Sequence, residues 1–374
     1  MKIAIIVPRY GLVGGAETFV FELTERLAQL DDYEVHVLAN RWRKGNASIT
    51  FHKIPIIPFP RWLRPVSFAS FAQKAIRAAS FDIIHSHDRI FEMNLLTFHG
   101  IPHETWIKKT KRNHLSLFDK ATAWVEKKGI YSAPSPTILP VSNLVKEELL
   151  NLYPLSESRI YVVHPGVSID RFSKLDAAAC RKEIRMRHGI SQSDVVVLFV
   201  GMNFEIKRLE LVMKGVAGLV GKGGKKVNLL VVGKGEVGLY MTMARDLGIH
   251  RRVFFTGVTK EVEKYYLASD IFAMPSLYDT FGLVVLEAMA AGLPVIISRR
   301  VGARDIIDPG INGLILPHSP SSADITNTLS LLLDDQKRKK MGEQARQVAL
   351  QHDWSNVTQQ VAQFYRNIKK TRPR

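Results

Sequence analysis

Cysteine is nearly missing: Cys180 is the one cysteine in 374 residues. A lone thiol excludes an internal disulfide framework and suits a reducing compartment such as the cytoplasm. Long apolar runs are missing too. The longest, such as 195–200, have the length of strands, so none crosses a bilayer as a helix. Residues 1–7 hold one lysine and a short apolar stretch before Pro8, which reads as a buried first strand and not as a signal peptide. Acidic residues are missing from 35–81, although Arg41, Arg43, Lys44, Lys53, Arg61, Arg64, Lys74 and Arg77 all fall there. The share of hydrophobic residues, 46%, is that of a soluble globular chain, and the net charge is +17. The length exceeds what one core supports, so two domains are expected.

Apolar stretches alternate with helix-forming ones. Strands are expected at 3–7, 34–38, 83–87, 95–99, 137–141 and 160–163, and helices at 14–30, 69–79, 120–128 and 144–152. The segment 164–172, HPGVSIDRF, reads as a linker. A second alternation follows, with strands at 195–200, 229–232, 253–256, 271–274 and 295–297. Short buried strands alternating with helices predict a parallel, doubly wound sheet. Because the pattern occurs twice, the expected class is α/β with two Rossmann-like domains, 1–168 and 169–355. A last helix, from about 356, carries Val357, Val361, Phe364 and Ile368 on one face.

The most informative stretch is 270–295, DIFAMPSLYDTFGLVVLEAMAAGLPV. It reads as a strand, a loop at 278–281 and a helix at 282–291 that Gly292 and Pro294 end. The first N–H groups of that helix, near Phe281, Gly282, Leu283 and Val284, form an anion site. Asp279 would lie at its mouth and Glu287 about two turns along. Carboxylates accept hydrogen bonds from hydroxyls, so a phosphate cradle flanked by two of them suits a nucleotide-sugar. Glu287 sits among apolar neighbours, where a charge is rarely left without a purpose.

This segment resembles the E-x7-E signature of retaining GT-B glycosyltransferases of family 4, and the likeness extends over the whole chain. It implies a GT-B architecture: two Rossmann-like domains facing a central cleft, the first completed by the terminal helix 356–374. It implies that Glu287 holds the donor ribose, while Asp279 stands where the family has a glutamate touching the transferred sugar. In the loop after VLFVG, which ends at Gly201, Lys207 matches a pyrophosphate-binding lysine. Ile206 takes the place of the family's arginine, with Arg208 displaced beside it. The loop GLVGGAET, with Gly14, Gly15 and Glu17, matches one that closes over the diphosphate and touches the acceptor. His99, which ends LLTFH, matches a histidine aimed at the reacting centre. The resemblance thus assigns His99, Asp279 and Lys207 to that centre. It also implies a reaction on one face of the sugar, with the leaving phosphate taking the acceptor's proton. Pro165-Gly166 and the short 204–207 loop are most similar to lipopolysaccharide-core glucosyltransferases.

Other features admit more than one reading. Residues 58–71 interleave Phe59, Trp62, Phe68 and Phe71 with Arg61 and Arg64, and Trp106, Lys108, Lys109, Lys111 and Arg112 follow. Such clusters suit an anionic membrane surface, a phosphorylated acceptor or single-stranded nucleic acid. They also suit a basic surface with its aromatics in the core. Nucleic acid is set aside because no nucleic-acid motif occurs. His85 and His87 share a strand face and, with Asp88 or His103, have metal-ligand spacing, but no Asp-x-Asp occurs, and no metal or other cofactor is expected. Gly233–Gly238 matches G-x-G-x-x-G, yet the next strand is not followed by the acid a dinucleotide needs.

The expected protein moves a hexose, glucose first, from UDP-glucose to a glycolipid or phosphorylated saccharide such as lipopolysaccharide core. It would lie on the inner face of the cytoplasmic membrane. Glu17, Arg61, Trp62, Arg64, Trp106, Lys108 and Lys109 would face acceptor and membrane. Mannosyl or N-acetylhexosaminyl transfer is the alternative, and a non-catalytic saccharide binder the alternative of another class.

Overall fold

A computed structural model describes residues 1–11, 14–109, 114–220 and 226–371. The packing divides the chain into two compact units: Met1–Pro165 with the chain from Trp354 onward, and Gly166–Asp353. In the first unit the strands are β1 (Lys2–Ile6), β2 (Arg9–Tyr10), β3 (Glu34–Ala39), β4 (Arg41–Trp42), β5 (Thr50–Lys53), β6 (Ile83–Ser86), β7 (Leu95–Phe98) and β8 (Thr137–Pro140). The helices are α1 (Gly15–Leu27), α2 (Leu63–Ala78), α3 (His103–Lys109), α4 (Leu117–Ile130) and α5 (Asn143–Leu152).

Six of these strands form one sheet in the order β5-β3-β1-β6-β7-β8, and every neighbouring pair is parallel. Parallel strands covered on both faces need apolar residues throughout, and Ile3, Ala4, Ile5 and Ile6 are all fully buried. The chain winds outward from β1 on one side and then returns to its other side. At such a reversal the loops after neighbouring strands part and leave a crevice at their carboxyl ends. Here it falls between β1 and β6. β2 and β4 form a separate two-stranded parallel pair, with Arg9 beside Arg41 and Tyr10 beside Trp42.

The last helix, Trp354–Thr371, belongs to this unit. Trp354, Val357, Val361 and Tyr365 join Phe19, Leu23 and Ile5 in one core. The strand expected at 160–163 does not form. Ile160 makes only an isolated bridge to Ile138, with Val163 N–H donating to Pro140 O at 3.0 Å. Pro140 has no N–H to return, so the ladder cannot continue.

The second unit holds β9 (Val195–Gly201), β10 (Val227–Gly233), β11 (Val253–Gly257), β12 (Ile271–Met274), β13 (Val295–Ser298) and β14 (Gly313–Leu316). Its helices are α6 (Asp170–Ser173), α7 (Ala177–Arg187), α8 (Leu209–Ala217), α9 (Val237–Asp246), α10 (Val262–Ala268), α11 (Leu283–Ala290), α12 (Ser322–Leu331) and α13 (Asp335–Gln351). The sheet is again parallel, in the order β11-β10-β9-β12-β13-β14, so its reversal lies between β9 and β12.

Arg185 on α7 is fully buried and ties this unit together. It donates to the carbonyls of Ala268 at 3.0 Å, Ser191 at 2.9 Å and Asp194 at 2.8 Å, and pairs with Asp270 at 2.7 Å. Asp270 also accepts the Val196 N–H at 2.7 Å, at the start of β9.

The G-x-G-x-x-G stretch spans the end of β10 and the start of α9. A side chain on Gly233, at φ 128°, would meet the Gly201 carbonyl oxygen at 1.8 Å. That glycine is required by the close approach of two strand ends, which needs no dinucleotide to explain it.

Candidate active site

Both loops at the reversal of the second sheet carry residues singled out in the sequence. After Gly201 the chain turns through Asn203, whose carbonyl accepts the Lys207 N–H at 3.1 Å. Phe204 is buried against Phe199 and Tyr240 and anchors the turn. The loop after β12 is tied to it: Ile206 O accepts from Leu277 N–H at 2.8 Å and Ser276 Oγ at 3.1 Å.

From this frame Lys207 pairs with the carboxylate of Asp279. Arg208 diverges. It is the one non-glycine residue with positive φ among the described residues, at 58°. Its Nε lies 3.2 Å from Glu210, and it lines a pocket of about 190 Å³ with Arg300 and His318. Lys207 thus pairs with Asp279, whereas Arg208, two places on from Ile206, pairs with Glu210.

Asp279 is held by its backbone, with its N–H on Arg300 O at 2.9 Å and its carbonyl accepting from Gly302 at 3.0 Å. One side-chain oxygen accepts the Phe281 N–H at 3.3 Å. Gly282 follows at φ 90°, where a side chain would be strained and would press on Met274 and Val301 at 3.1 Å. α11 begins at Leu283, one residue later than expected, so the N–H groups of Leu283 and Val284 stand at its start.

Glu287 is the fifth residue of α11. It lies little more than one turn from the helix start, not two. Its carboxylate accepts from Tyr266 Oη at 2.9 Å and lies 3.7 Å from Arg171, which also pairs with Glu263. Burial pushes the Glu287 carboxyl above its ordinary value, against the Arg171 charge and the Tyr266 hydrogen bond that pull it down. Arg171 and Tyr266 were missed from sequence. The charged Arg171 within the linker segment 164–172 is the available signal.

In the first unit His99 follows β7 directly. Its Nε2 lies 2.9 Å from His87 Nδ1, and the Phe19 ring stands edge-on to it at 5.1 Å. His85 is hydrogen-bonded through both nitrogens, to Tyr365 Oη at 2.7 Å and Thr97 Oγ1 at 2.8 Å. His103 instead pairs with Asp119 at 2.9 Å. Among the described residues no cluster of His, Cys, Asp and Glu is arranged to hold a metal ion. Gly14, at φ 150°, caps α1, and the Glu17 carboxylate folds back over it.

Burial lowers His85 and His99 to about 3 and pushes His87 well below its ordinary value. All three are neutral at neutral pH. Between their ordinary value of 6.5 and about 3, the unfolded chain binds protons that the folded unit refuses. Stability from this cluster is therefore whole above that window and is lost as pH falls through it. Nuclear magnetic resonance is expected to leave these three imidazoles unmoved through pH 6.5, where exposed histidines titrate. Titration of any of them near that pH would contradict the buried, neutral assignment.

The basic and aromatic stretch divides between core and surface. Phe68 is buried, in line with the core reading of the aromatics, whereas Phe59 is 80% exposed and Trp62 and Trp106 are about 40% exposed. Trp62 and Trp106 line a groove of about 590 Å³ with Leu117 and Phe118, and Arg61 lies over the Phe118 ring at 5.5 Å. Lys108 is exposed, and Lys109 pairs with Glu148 at 2.6 Å. Lys111 and Arg112 lie outside the described residues. No described helix is long and apolar enough to cross a membrane.

Comparison with known proteins gives each unit a counterpart. Residues 13–171 match the family Glycosyltransferase Family 4, and 181–348 match Glycosyl transferases group 1. The chain belongs to the GT-B glycosyltransferases. Among relatives of this glycosyltransferase is N-acetyl-alpha-D-glucosaminyl L-malate synthase of Bacillus anthracis, 26% identical over 93% of this chain and 92% of that one. Its fold is similar to the crystal structure of WaaG, a glycosyltransferase involved in lipopolysaccharide biosynthesis. That likeness has a TM-score of 0.82 at 19% identity, over 97% of this chain and 99% of WaaG. It is also similar to Anabaena HepE in complex with UDP-glucose, with a TM-score of 0.74 at 18% identity, over 98% of this chain and 100% of that one.

Proposed function

We propose that this glycosyltransferase moves a hexose, glucose first, from UDP-glucose to a membrane-associated glycolipid such as lipopolysaccharide core, with retained configuration and without a metal. The observation that carries the donor half is the meeting of Lys207, Asp279 and the start of α11 at one sheet reversal, with Glu287 a turn further on. A diphosphate at that point has a cation and outward N–H groups to neutralise it. The two carboxylates serve hydroxyls: Asp279 on the sugar, Glu287 on the ribose. Tyr266 and Arg171 hold Glu287 in one orientation. The UDP-glucose complex named for HepE and the lipopolysaccharide role named for WaaG favour the particular donor and acceptor.

The acceptor half is assigned to the first unit, where the family resemblance gives His99, Gly14, Gly15 and Glu17 their roles. The exposed Trp62 and Trp106 with Arg61, Arg64 and Lys108 suit an anionic leaflet. The protein would then work at the inner face of the cytoplasmic membrane. A second reading, a small soluble acid as acceptor, is favoured by the L-malate named for the Bacillus anthracis relative.

Glu287→Gln tests the donor half. The amide loses its charge and replaces one acceptor with a donor, so ribose hydroxyls lose charge-assisted bonds worth about 1.5–3 kcal/mol each. Calorimetry is expected to show UDP-glucose affinity lowered about tenfold to a hundredfold. Wild-type affinity in Glu287→Gln would remove Glu287 from the site, and failure of the wild type to bind any nucleotide-sugar would remove the whole reading.

A further inference from the structure

The first sheet has its own crevice, and its charges are unbalanced. A cleft of about 620 Å³ opens at the reversal between β1 and β6. Its charged lining is Arg9, Arg41, Arg64, Arg89, Glu17 and Asp88. Arg89 is already neutralised, by the buried Glu126 at 2.7 Å and by Asp88 at 3.6 Å. Asp88 is committed as well, since it also accepts the Arg89 N–H at 2.7 Å. That leaves three guanidinium groups against one carboxylate. Among the described residues no acidic side chain pairs with Arg9, Arg41 or Arg64.

The strands make this imbalance sharper. Arg9 and Arg41 are register partners on β2 and β4. Alternation along a strand turns Tyr10 inward and leaves Arg9 and Arg41 exposed on the same side. Like charges at paired positions on neighbouring strands repel. A protein gains nothing in stability from such a pair, but a bound anion converts the repulsion into attraction. Arg64 reaches the same cleft from α2. The planar forks of arginine fit phosphate oxygens two at a time. One more group in the lining lacks a partner: His87 is 6% exposed, and its buried Nε2 makes no hydrogen bond. A buried polar atom without a partner calls for an explanation, and a hydroxyl or water entering from the cleft supplies one.

We propose that this cleft binds a phosphate ester of the acceptor, with Arg9, Arg41 and Arg64 on the phosphate and Glu17 and His87 available to its hydroxyls. This rests on the reading that the first unit holds the acceptor. The cleft shares Phe118 with the groove of Trp62 and Trp106, so a lipid phosphate or a soluble sugar phosphate can supply the same group.

The test is calorimetry on the full chain saturated with UDP, which occupies the donor side and keeps other phosphates from it. Inorganic phosphate, glucose 6-phosphate and glucose are titrated in turn. The two phosphates are expected to bind and glucose to bind far more weakly. Arg9→Ala/Arg41→Ala is expected to weaken both phosphates about tenfold to a hundredfold. Arg64→Ala, on a different element, is expected to weaken them in the same direction, and both variants keep the wild-type affinity for UDP. Vesicles of phosphatidylcholine with and without phosphatidic acid separate the sources. Loss of the phosphatidic acid preference in the double variant marks a lipid headgroup, and loss confined to glucose 6-phosphate marks a soluble acceptor. Phosphate affinity that is absent, or equal in wild type and both variants, overturns the proposal while leaving the donor reading intact. Failure to bind UDP overturns the donor reading and leaves the phosphate titration to be judged by itself.

Discussion

Lys207→Ala is expected to lower kcat for glycosyl transfer by about 10²–10³, as loss of one stabilising donor does elsewhere. Negative charge grows on the leaving diphosphate as the glycosidic bond breaks, so a cation placed there helps the transition state more than the bound donor. KM therefore rises less than kcat falls. The pairing of Lys207 with Asp279 adds a second consequence. Removing the ammonium leaves the Asp279 carboxylate unpaired beside an incoming diphosphate, and the two anions repel. Adding Asp279→Asn relieves that repulsion, so the double variant is expected to be less impaired than the sum of the singles. Arg208→Ala is expected to do much less, because its guanidinium pairs with Glu210. Steady-state kinetics on the wild type, the two singles at Lys207 and Asp279, their double and Arg208→Ala checks this. Unchanged kcat in Lys207→Ala would mean that the diphosphate lies elsewhere.

Arg185→Ala is expected to destabilise the second unit by about 3 kcal/mol, the lower end for breaking a buried pair, because Asp270 loses one of its two arginines and several buried carbonyls lose their donor. The side chain is fully buried, and its loss removes one partner of the Asp270 carboxylate and a donor from the carbonyls of Ala268, Ser191 and Asp194. Asp270 retains Arg181 at 2.9 Å and the Val196 N–H, which lessens the loss without cancelling it. Denaturant unfolding, followed by a probe in the second unit, measures the change. A shift below about 1 kcal/mol, the scale of an exposed pair, would show that water reaches this site. Activity is no substitute readout, since Arg185 touches none of the residues assigned to the donor.

What was legible in the sequence follows from locality. The strand, loop and helix of 270–295 were readable because each is fixed by its own residues: apolar Ile271–Met274, Gly282 at positive φ, and Gly292 at the helix end. The two alternations of strand and helix were readable for the same reason. Contacts between distant segments were not. Tyr266 and Arg171 converge on Glu287 from α10 and α6, and no periodicity in the sequence joins those three. Arg9 and Arg41 were visible only as members of a basic population until β2 and β4 placed them in register. Phe68 looked like Phe59 and Trp62, but α2 turns it inward while the other two precede the helix. The missing strand at 160–163 reflects its partner: the segment is apolar enough, and Pro140 denies it a reciprocal ladder.

The hydrogen bond between His85 and Tyr365 joins positions 280 residues apart, across the whole of the second unit. A ribosome releases the amino-terminal sheet early and the helix that covers it only after the second unit. Throughout that interval Phe19, Leu23 and the buried faces of β1 and β6 have no lid, although their own strands and first helices are complete. The contiguous unit, Gly166–Asp353, has all its parts before Tyr365 leaves the ribosome. Maturation of the nascent chain thus runs opposite to its synthesis: the half made first is finished second. Apolar surface exposed for that long is what holding chaperones recognise and what aggregation exploits.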